Sequence, residues 1–237
     1  MKKLSQDKQN KLVKYIYWFV LLSFIIPIAF LVYKIIITRH IDISDADYRS
    51  RADYILMLVE CLLGIVVIHV PAMLAKKFRF ELPIPLYIMF MIFLYCAIFL
   101  GEVRSFYYVV PNWDIILHCF SSMMAGTFGF MVVSILNRDE HTSLNLSPLF
   151  VALFAFCFAV SIGCIWEIYE FVFDGALGLN MQKFILEDGT VLIGREALSD
   201  TMEDIIVDCI GAFVSSVAGY LSIMKDKGWL TNKKGRN

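Results

Sequence analysis

Hydrophobic positions along this chain gather into six long runs, at about residues 15–37, 52–74, 83–101, 113–136, 148–173 and 201–224. Crossing about 30 Å of hydrocarbon takes about 20 helical residues, and each run meets that length. A backbone in lipid must satisfy its own hydrogen bonds, so each run predicts a helix. The expected fold is therefore all-α: a polytopic transmembrane helical bundle of about six spans, forming a single transmembrane domain over residues 1–237. The second run carries Asp53, Glu60 and Pro71 and is the weakest span candidate of the six. Between the fifth and sixth runs, the outer loop 174–200 contains FILEDGTVLI, two β-prone stretches around Glu187-Asp188-Gly189 that predict a small hairpin. Both a lid and a plain connector fit that loop.

Basic residues orient the spans. On one side lie Lys2, Lys3, Lys8, Lys11, Lys14, Lys76, Lys77, Arg79, Arg138, Lys225, Lys227, Lys233, Lys234 and Arg236; on the other lie Lys34, Arg39, Arg49, Arg51, Arg104, Lys183 and Arg195. Excess Lys and Arg mark the cytoplasmic side, so both termini are expected there. The positive N-terminal arm leads into an apolar run too long for a signal-peptide core, and no small-x-small cleavage site follows, so the first run is expected to stay as a span.

Composition strengthens the membrane reading, with 59% hydrophobic and 18% charged residues and a mean hydropathy of +0.70. A net charge of −1 gives no reason to expect a nucleic-acid partner; membrane lipid is the expected neighbour. The six cysteines, Cys61, Cys96, Cys119, Cys157, Cys164 and Cys209, lie in apolar runs, where a thiol behaves as a small hydrophobe, and no disulfide is expected.

The acidic residues change the picture. With alternating span directions, Glu60, Glu102, Asp114 with His118, Glu167 with Glu170 and Asp174, and Asp200 with Glu203, Asp204 and Asp208 all fall at outward-facing span ends. At about 1.5 Å per residue, His118, Glu167 and Asp208 lie about 7–10 Å inside their span ends, at a shared depth. Asp114 and His118 are spaced i, i+4; Glu167, Glu170 and Asp174 are i, i+3, i+7; Asp200, Asp204 and Asp208 are i, i+4, i+8. Each set shares one helix face. Small residues continue two of these faces inward, Ser121, Ala125 and Gly129 after His118 and Gly211, Ser215 and Gly219 after Asp208, predicting close packing of spans four and six.

An acidic side chain at the bilayer centre costs roughly 2.5–3.5 kcal/mol on insertion scales. Protons, a basic partner or a bound cation must offset that cost. Glu167, Glu170, Asp204 and Asp208 are the expected donors to a divalent metal ion, with Mg²⁺, Mn²⁺, Zn²⁺ and Fe all compatible, and His118 or Asp114 is the expected general acid or base. Structural readings stand beside these. Asp200-Thr-Met-Glu203 matches a capping box, Asp114 suits a helix N-terminus, Asp174 suits the interface, Glu102 suits a partner such as Arg104, His69 suits packing, and Cys164 suits core filling.

Trp113-Asp114 with His118, Trp166-Glu167 through Glu170, and Asp200-Thr201-Met202 with Asp204, Asp208 and Gly211-Ala212 form an ordered pattern over about residues 100–222. It resembles the bacterial membrane family of unknown function that includes the inner-membrane protein YjdF. More distantly it is similar to VanZ-like membrane proteins, linked to glycopeptide resistance, from which it departs in having Asp208 where an Asn is expected. The resemblance implies a membrane protein and brings no reaction.

Three functions fit. The first is a metal-dependent hydrolase or transferase acting on a lipid or cell-envelope substrate from the outer side. The second is a non-catalytic structural or partner-binding membrane protein. The third is a cation- or proton-coupled transporter, disfavoured because polar residues do not continue toward the cytoplasm. Phosphate-binding glycine loops, paired CxxC, HExxH and nucleophile-elbow serine motifs do not occur.

Overall fold

In a computed structural model the described residues are 6–37, 51–136, 146–186 and 189–225. Lys2, Lys3, Arg39, Arg49, Arg138, Lys227, Lys233, Lys234, Arg236 and the Glu187-Asp188 hairpin tip lie outside them. The helices are α1 (Gln6–Ile37), α2 (Arg51–Val67), α3 (Val70–Lys77), α4 (Ile84–Leu94), a π-helical stretch (Tyr95–Val103), α5 (Phe106–Val109), α6 (Trp113–Leu136), α7 (Pro148–Leu177) and α8 (Arg195–Lys225). Six stretches are long and apolar enough to cross a membrane: Asp7–Ile37, Arg51–Lys77, Ile84–Val103, Trp113–Leu136, Pro148–Leu177 and Arg195–Lys225. They correspond one for one to the six hydrophobic runs. The chain divides into two compact units, one comprising Met1–Trp113 with Phe173–Met181 and the other Asp114–Val172 with Gln182–Asn237.

The core of the first unit joins Val20, Phe24 and Leu31 of α1, Met57, Cys61 and the following Ile68, and Met91, Leu94 and Ile98. Its second span is interrupted between α2 and α3. Pro71 has no N–H to offer the carbonyl of Val67, so the helix closes with Ile68 N–H donating to Gly64 O (3.0 Å) and restarts with Met73 N–H donating to His69 O (3.0 Å). In the third span the turn widens after Leu94, and Arg104 N–H donates five residues back to Phe99 O at 2.9 Å. His69 is fully engaged: its Nδ1–H donates to Ile65 O (2.7 Å), so Nε2 accepts from the Tyr17 hydroxyl (2.8 Å). Both ring nitrogens are hydrogen-bonded, in keeping with the packing role the sequence suited it for. Tyr17→Phe removes that one bond and is expected to cost about 0.5–1.5 kcal/mol, read as a lower midpoint of thermal unfolding in detergent with no change in metal content.

Asp174 belongs to the same unit and helps turn the chain out of α7. Its Oδ1 accepts the Met181 N–H at 2.8 Å, while Gly178, at φ +65°, donates its N–H to the Asp174 carbonyl at 2.9 Å and closes the helix with the left-handed residue such ends favour. Helix α7 thus runs to Leu177 rather than ending near residue 173.

In the second unit, Phe130, Val133, Val151, Ala152, Ala155 and Ile223 form a core among α6, α7 and α8. Close approach depends on missing side chains. A Cβ at Gly126 would collide with Ser215 Oγ on α8, and one at Gly129 would lie 2.9 Å from the Ala155 backbone on α7. Gly211 likewise receives Ser122, and Gly219 receives the Phe130 ring. The stripe on α8 is the predicted one. On α6 the buried positions are Ser122, Gly126 and Gly129, and Ser121 and Ala125 are only partly buried, because the contact line leaves His118 in steps of four residues before its step of three.

Residues 182–186 and 189–194 pair as the arms of the expected hairpin. Leu192 N–H donates to Phe184 O and Leu186 N–H to Thr190 O, both at 2.9 Å, around a single antiparallel bridge between Ile185 and Val191. Helix α8 then begins earlier than predicted, with Leu198 N–H donating to Gly194 O at 3.3 Å. Asp200 therefore sits inside the helix and is not an N-cap, and the Asp200–Glu203 capping-box reading does not hold.

Candidate functional site

All parts of the site belong to the second unit. Asp114 lies in the first turn of α6, one turn before His118, so both side chains leave the same helix face. Glu167 lies on α7, and Asp204 and Asp208 lie one turn apart on α8. His118 is their meeting point. Its Nε2 lies 3.7 Å from Asp114 Oδ1, 3.8 Å from Glu167 Oε1 and 3.9 Å from Asp204 Oδ2. On the opposite edge of the ring, Nδ1 lies 3.4 Å from Asp208 Oδ2. An ionised carboxylate only accepts, so Nδ1–H is the donor in that bond.

The two edges do different work. The Nδ1 edge is hydrogen-bonded; the Nε2 edge faces three carboxylates at distances beyond a hydrogen bond. With Nδ1–H held by Asp208, the Nε2 edge facing three acidic groups takes either a second proton, which makes the ring itself the cation, or a metal ion among the carboxylates. Asp114, His118 and Asp204 each offer one donor atom, and these atoms lie within 4.8 Å of one another. A dication with bonds of about 2.0–2.2 Å holds its donors about 3–3.5 Å apart, so donors at the 4.8 Å limit would close by about 1.3–1.8 Å to seat it.

A second observation supports the same conclusion. Both carboxylate oxygens of Glu167 are buried without a hydrogen-bond partner, as is Asp208 Oδ1. Glu167 is only 4% exposed, and its Oε1 faces the Nε2 edge. The Thr201 hydroxyl approaches Glu167 without completing a hydrogen bond, and Thr201 itself accepts from Gln182 Nε2 at 2.8 Å. Unpartnered buried acceptors are costly, and a cation at the Nε2 edge would satisfy Glu167, though not Asp208 Oδ1 on the far edge of the ring. Asp114 is the open side, with its side chain 27% exposed against 8% for His118 and 3% for Asp204.

The site therefore distributes the residues expected from the sequence differently. Glu167, Asp204 and Asp208 do meet His118, as does Asp114. Of the expected donors, Asp204 belongs to the converging trio; Asp208 backs the ring from its far edge, and Glu167 sits beside the trio. Asp114 and His118, expected as acid and base, are two of the three residues whose potential ligand atoms converge within 4.8 Å. Glu170 is buried but outside the ring's contacts, and Lys183 acts electrostatically on it and on Asp200. Cys164 lies outside the trio, and all six cysteines are free thiols.

Two participants escaped the sequence reading. Lys183 was detectable as the one basic residue between Asp174 and Gly194. Gly163 was detectable as the residue one turn before Glu167 on its own face. A Cβ at Gly163 would collide with Asp208 Oδ2, so this glycine is the notch in α7 that admits the Asp208 carboxylate.

Comparison with known proteins agrees with the reading as a membrane protein. The family described as "Predicted membrane protein (DUF2238)" matches residues 16–225. A Thermotoga maritima protein described as "Uncharacterized protein" is 30% identical over 124 residues, covering 51% of this chain and 54% of the relative, so the chain spans about half the length of that relative. No solved structure matches.

Proposed function

This chain belongs to the DUF2238 family of predicted membrane proteins, of which YjdF is also a member, and we propose from its site that it is a multi-pass membrane enzyme. The reaction class is a divalent-metal-dependent hydrolysis or group transfer on a lipid or cell-envelope substrate. The observation that carries this reading is the Nε2 edge of His118, which faces three carboxylate oxygens at 3.7–3.9 Å without a hydrogen bond to any of them.

In this reading Asp114, His118 and Asp204 hold the ion. When bound, such an ion polarises a carbonyl or phosphoryl oxygen and makes a water molecule more acidic. Glu167, with both oxygens unpartnered, is the group available to accept a proton beside the ion. Asp114 lies on the side from which a substrate enters. With the termini cytoplasmic, as the basic residues suggest, that side belongs to the outer half of an inner membrane, where lipid headgroups and polyprenyl-linked molecules are found.

Geometry argues against the two alternatives. A network serving only to fix the helices would close its contacts as hydrogen bonds, and three of these are too long. A transport path would continue as polar side chains, but the hydroxyls inward of the site bond to their own helices: Ser121 Oγ to His118 O (3.0 Å), Ser122 Oγ to Cys119 O (3.1 Å) and Ser215 Oγ to Ala212 O (3.0 Å).

Turnover of phospholipid and polyprenyl-phosphate substrates by the purified protein tests the proposal. Chelation is expected to abolish it and added dication to restore it, with Glu167→Gln and Asp204→Asn each lowering it by roughly 10²–10⁴-fold. Turnover that survives both chelation and the two substitutions would overturn the reading.

A further inference from the structure

The same site distinguishes between classes of dication, and the distinction lies in the ring of His118. Three observations bear on it. Nδ1–H donates to Asp208 Oδ2 at 3.4 Å. Asp208 is itself 2% exposed and reaches the ring only because position 163 on α7 has no side chain. On the other edge, Nε2 faces the space shared by Asp114 Oδ1, Glu167 Oε1 and Asp204 Oδ2, into which Glu167 presents buried oxygens with no partner.

Magnesium and calcium take oxygen donors and gain little from an imidazole; zinc and ferrous iron bind imidazole nitrogen strongly. A histidine whose far N–H is held by a carboxylate is oriented and made more basic, and losing such a partner typically costs 10- to 100-fold in affinity. We infer that this site selects a zinc- or iron-type dication over magnesium and calcium, and that Asp208, seated in the Gly163 notch, is the positioning residue that makes His118 the deciding donor. This deepens, and rests on, the metal-dependent reading above.

The inference predicts a differential effect that general damage to the fold would not produce. In full-length protein in detergent, stripped of metal, Zn²⁺ is expected to bind at one per chain and to resist a hundredfold excess of Mg²⁺. Asp208→Asn is expected to weaken Zn²⁺ roughly 10- to 100-fold at unchanged stoichiometry, and to weaken Mg²⁺, which feels only the lost charge, by a clearly smaller factor. Gly163→Ala, on a different helix from either, is expected to reproduce that pattern by displacing the Asp208 carboxylate. Calorimetric titration of each variant with Zn²⁺ alone and with Mg²⁺ alone measures all of this. Equal affinity for the two ions, or an Asp208→Asn variant that weakens both equally or neither, would overturn the inference and leave the function proposal standing. Zinc bound as described without chelator-sensitive turnover would overturn the function proposal and leave this inference standing. If neither ion binds, both fail.

Discussion

Replacing His118 with alanine is expected to lower zinc affinity by more than about 100-fold, beyond what the loss of an outer partner alone costs, and to remove the stability that the metal confers. At a free zinc concentration 100 times the dissociation constant, a bound ion stabilises the folded chain by about 2.7 kcal/mol. For a chain of this size that corresponds to a rise in melting midpoint of roughly 5–10 °C. The substitution removes the only nitrogen among the described donors, and the carboxylates left behind have no group to space them. Thermal scans in detergent, with and without zinc, compare the two proteins directly. The wild-type midpoint is expected to rise on adding zinc and the His118→Ala midpoint to stay level; equal rises would mean that zinc binds elsewhere.

Gly126→Leu is expected to have the largest effect on the fold of the second unit. A Cβ there already overlaps Ser215 Oγ and lies 3.1 Å from Ser215 Cβ and 3.9 Å from Ala159 Cβ, so a leucine has no room on the sides facing α8 and α7. Overpacking of this kind costs about 1–3 kcal/mol and sometimes more. Because α6 also carries His118, two turns earlier on the same face, pushing α6 from α8 is expected to separate His118 from Asp204 and weaken zinc as well. Gly175→Ala provides the contrast, since its Cβ has no neighbour within 4 Å and alanine favours a helix by about 1 kcal/mol. A Gly126→Leu protein that melts and binds zinc like wild type would contradict the packing of α6 on α8.

Hydropathy alone located the six spans because lipid-facing helices are apolar over their whole length, and α6 coincides with its predicted limits of residues 113 and 136. Where the chain turns polar, that signal weakened. Residues 195–200, Arg-Glu-Ala-Leu-Ser-Asp, are the opening turns of α8, but they carry too many charges to resemble a span, and so Asp200 was read as a cap. The widened turn at Tyr95–Val103 had no signature, since Tyr-Cys-Ala-Ile-Phe-Leu-Gly-Glu-Val suits an ordinary helix equally well. Pro71, read only as weakening the second span, is where that span breaks.

For the site, periodicity gave the faces. Asp114 with His118 and Asp204 with Asp208 can be paired by counting residues, and one depth for all of them follows from the rise of a helix. Which oxygen meets which ring nitrogen is not periodic information. It depends on rotamers and on how closely α7 approaches α8, which Gly163 sets. The roles of Asp208 and Glu167 therefore emerged only from the three-dimensional arrangement, although a glycine one turn before Glu167 was visible beforehand.

X-ray absorption spectroscopy at the zinc edge of the loaded protein tests the central claim most directly. The account predicts a first shell of oxygen and nitrogen at about 2.0–2.2 Å with the multiple-scattering signature of one imidazole, which His118→Ala removes. A sulfur shell near 2.3 Å, drawn from the free cysteines, or a shell with no imidazole would contradict it.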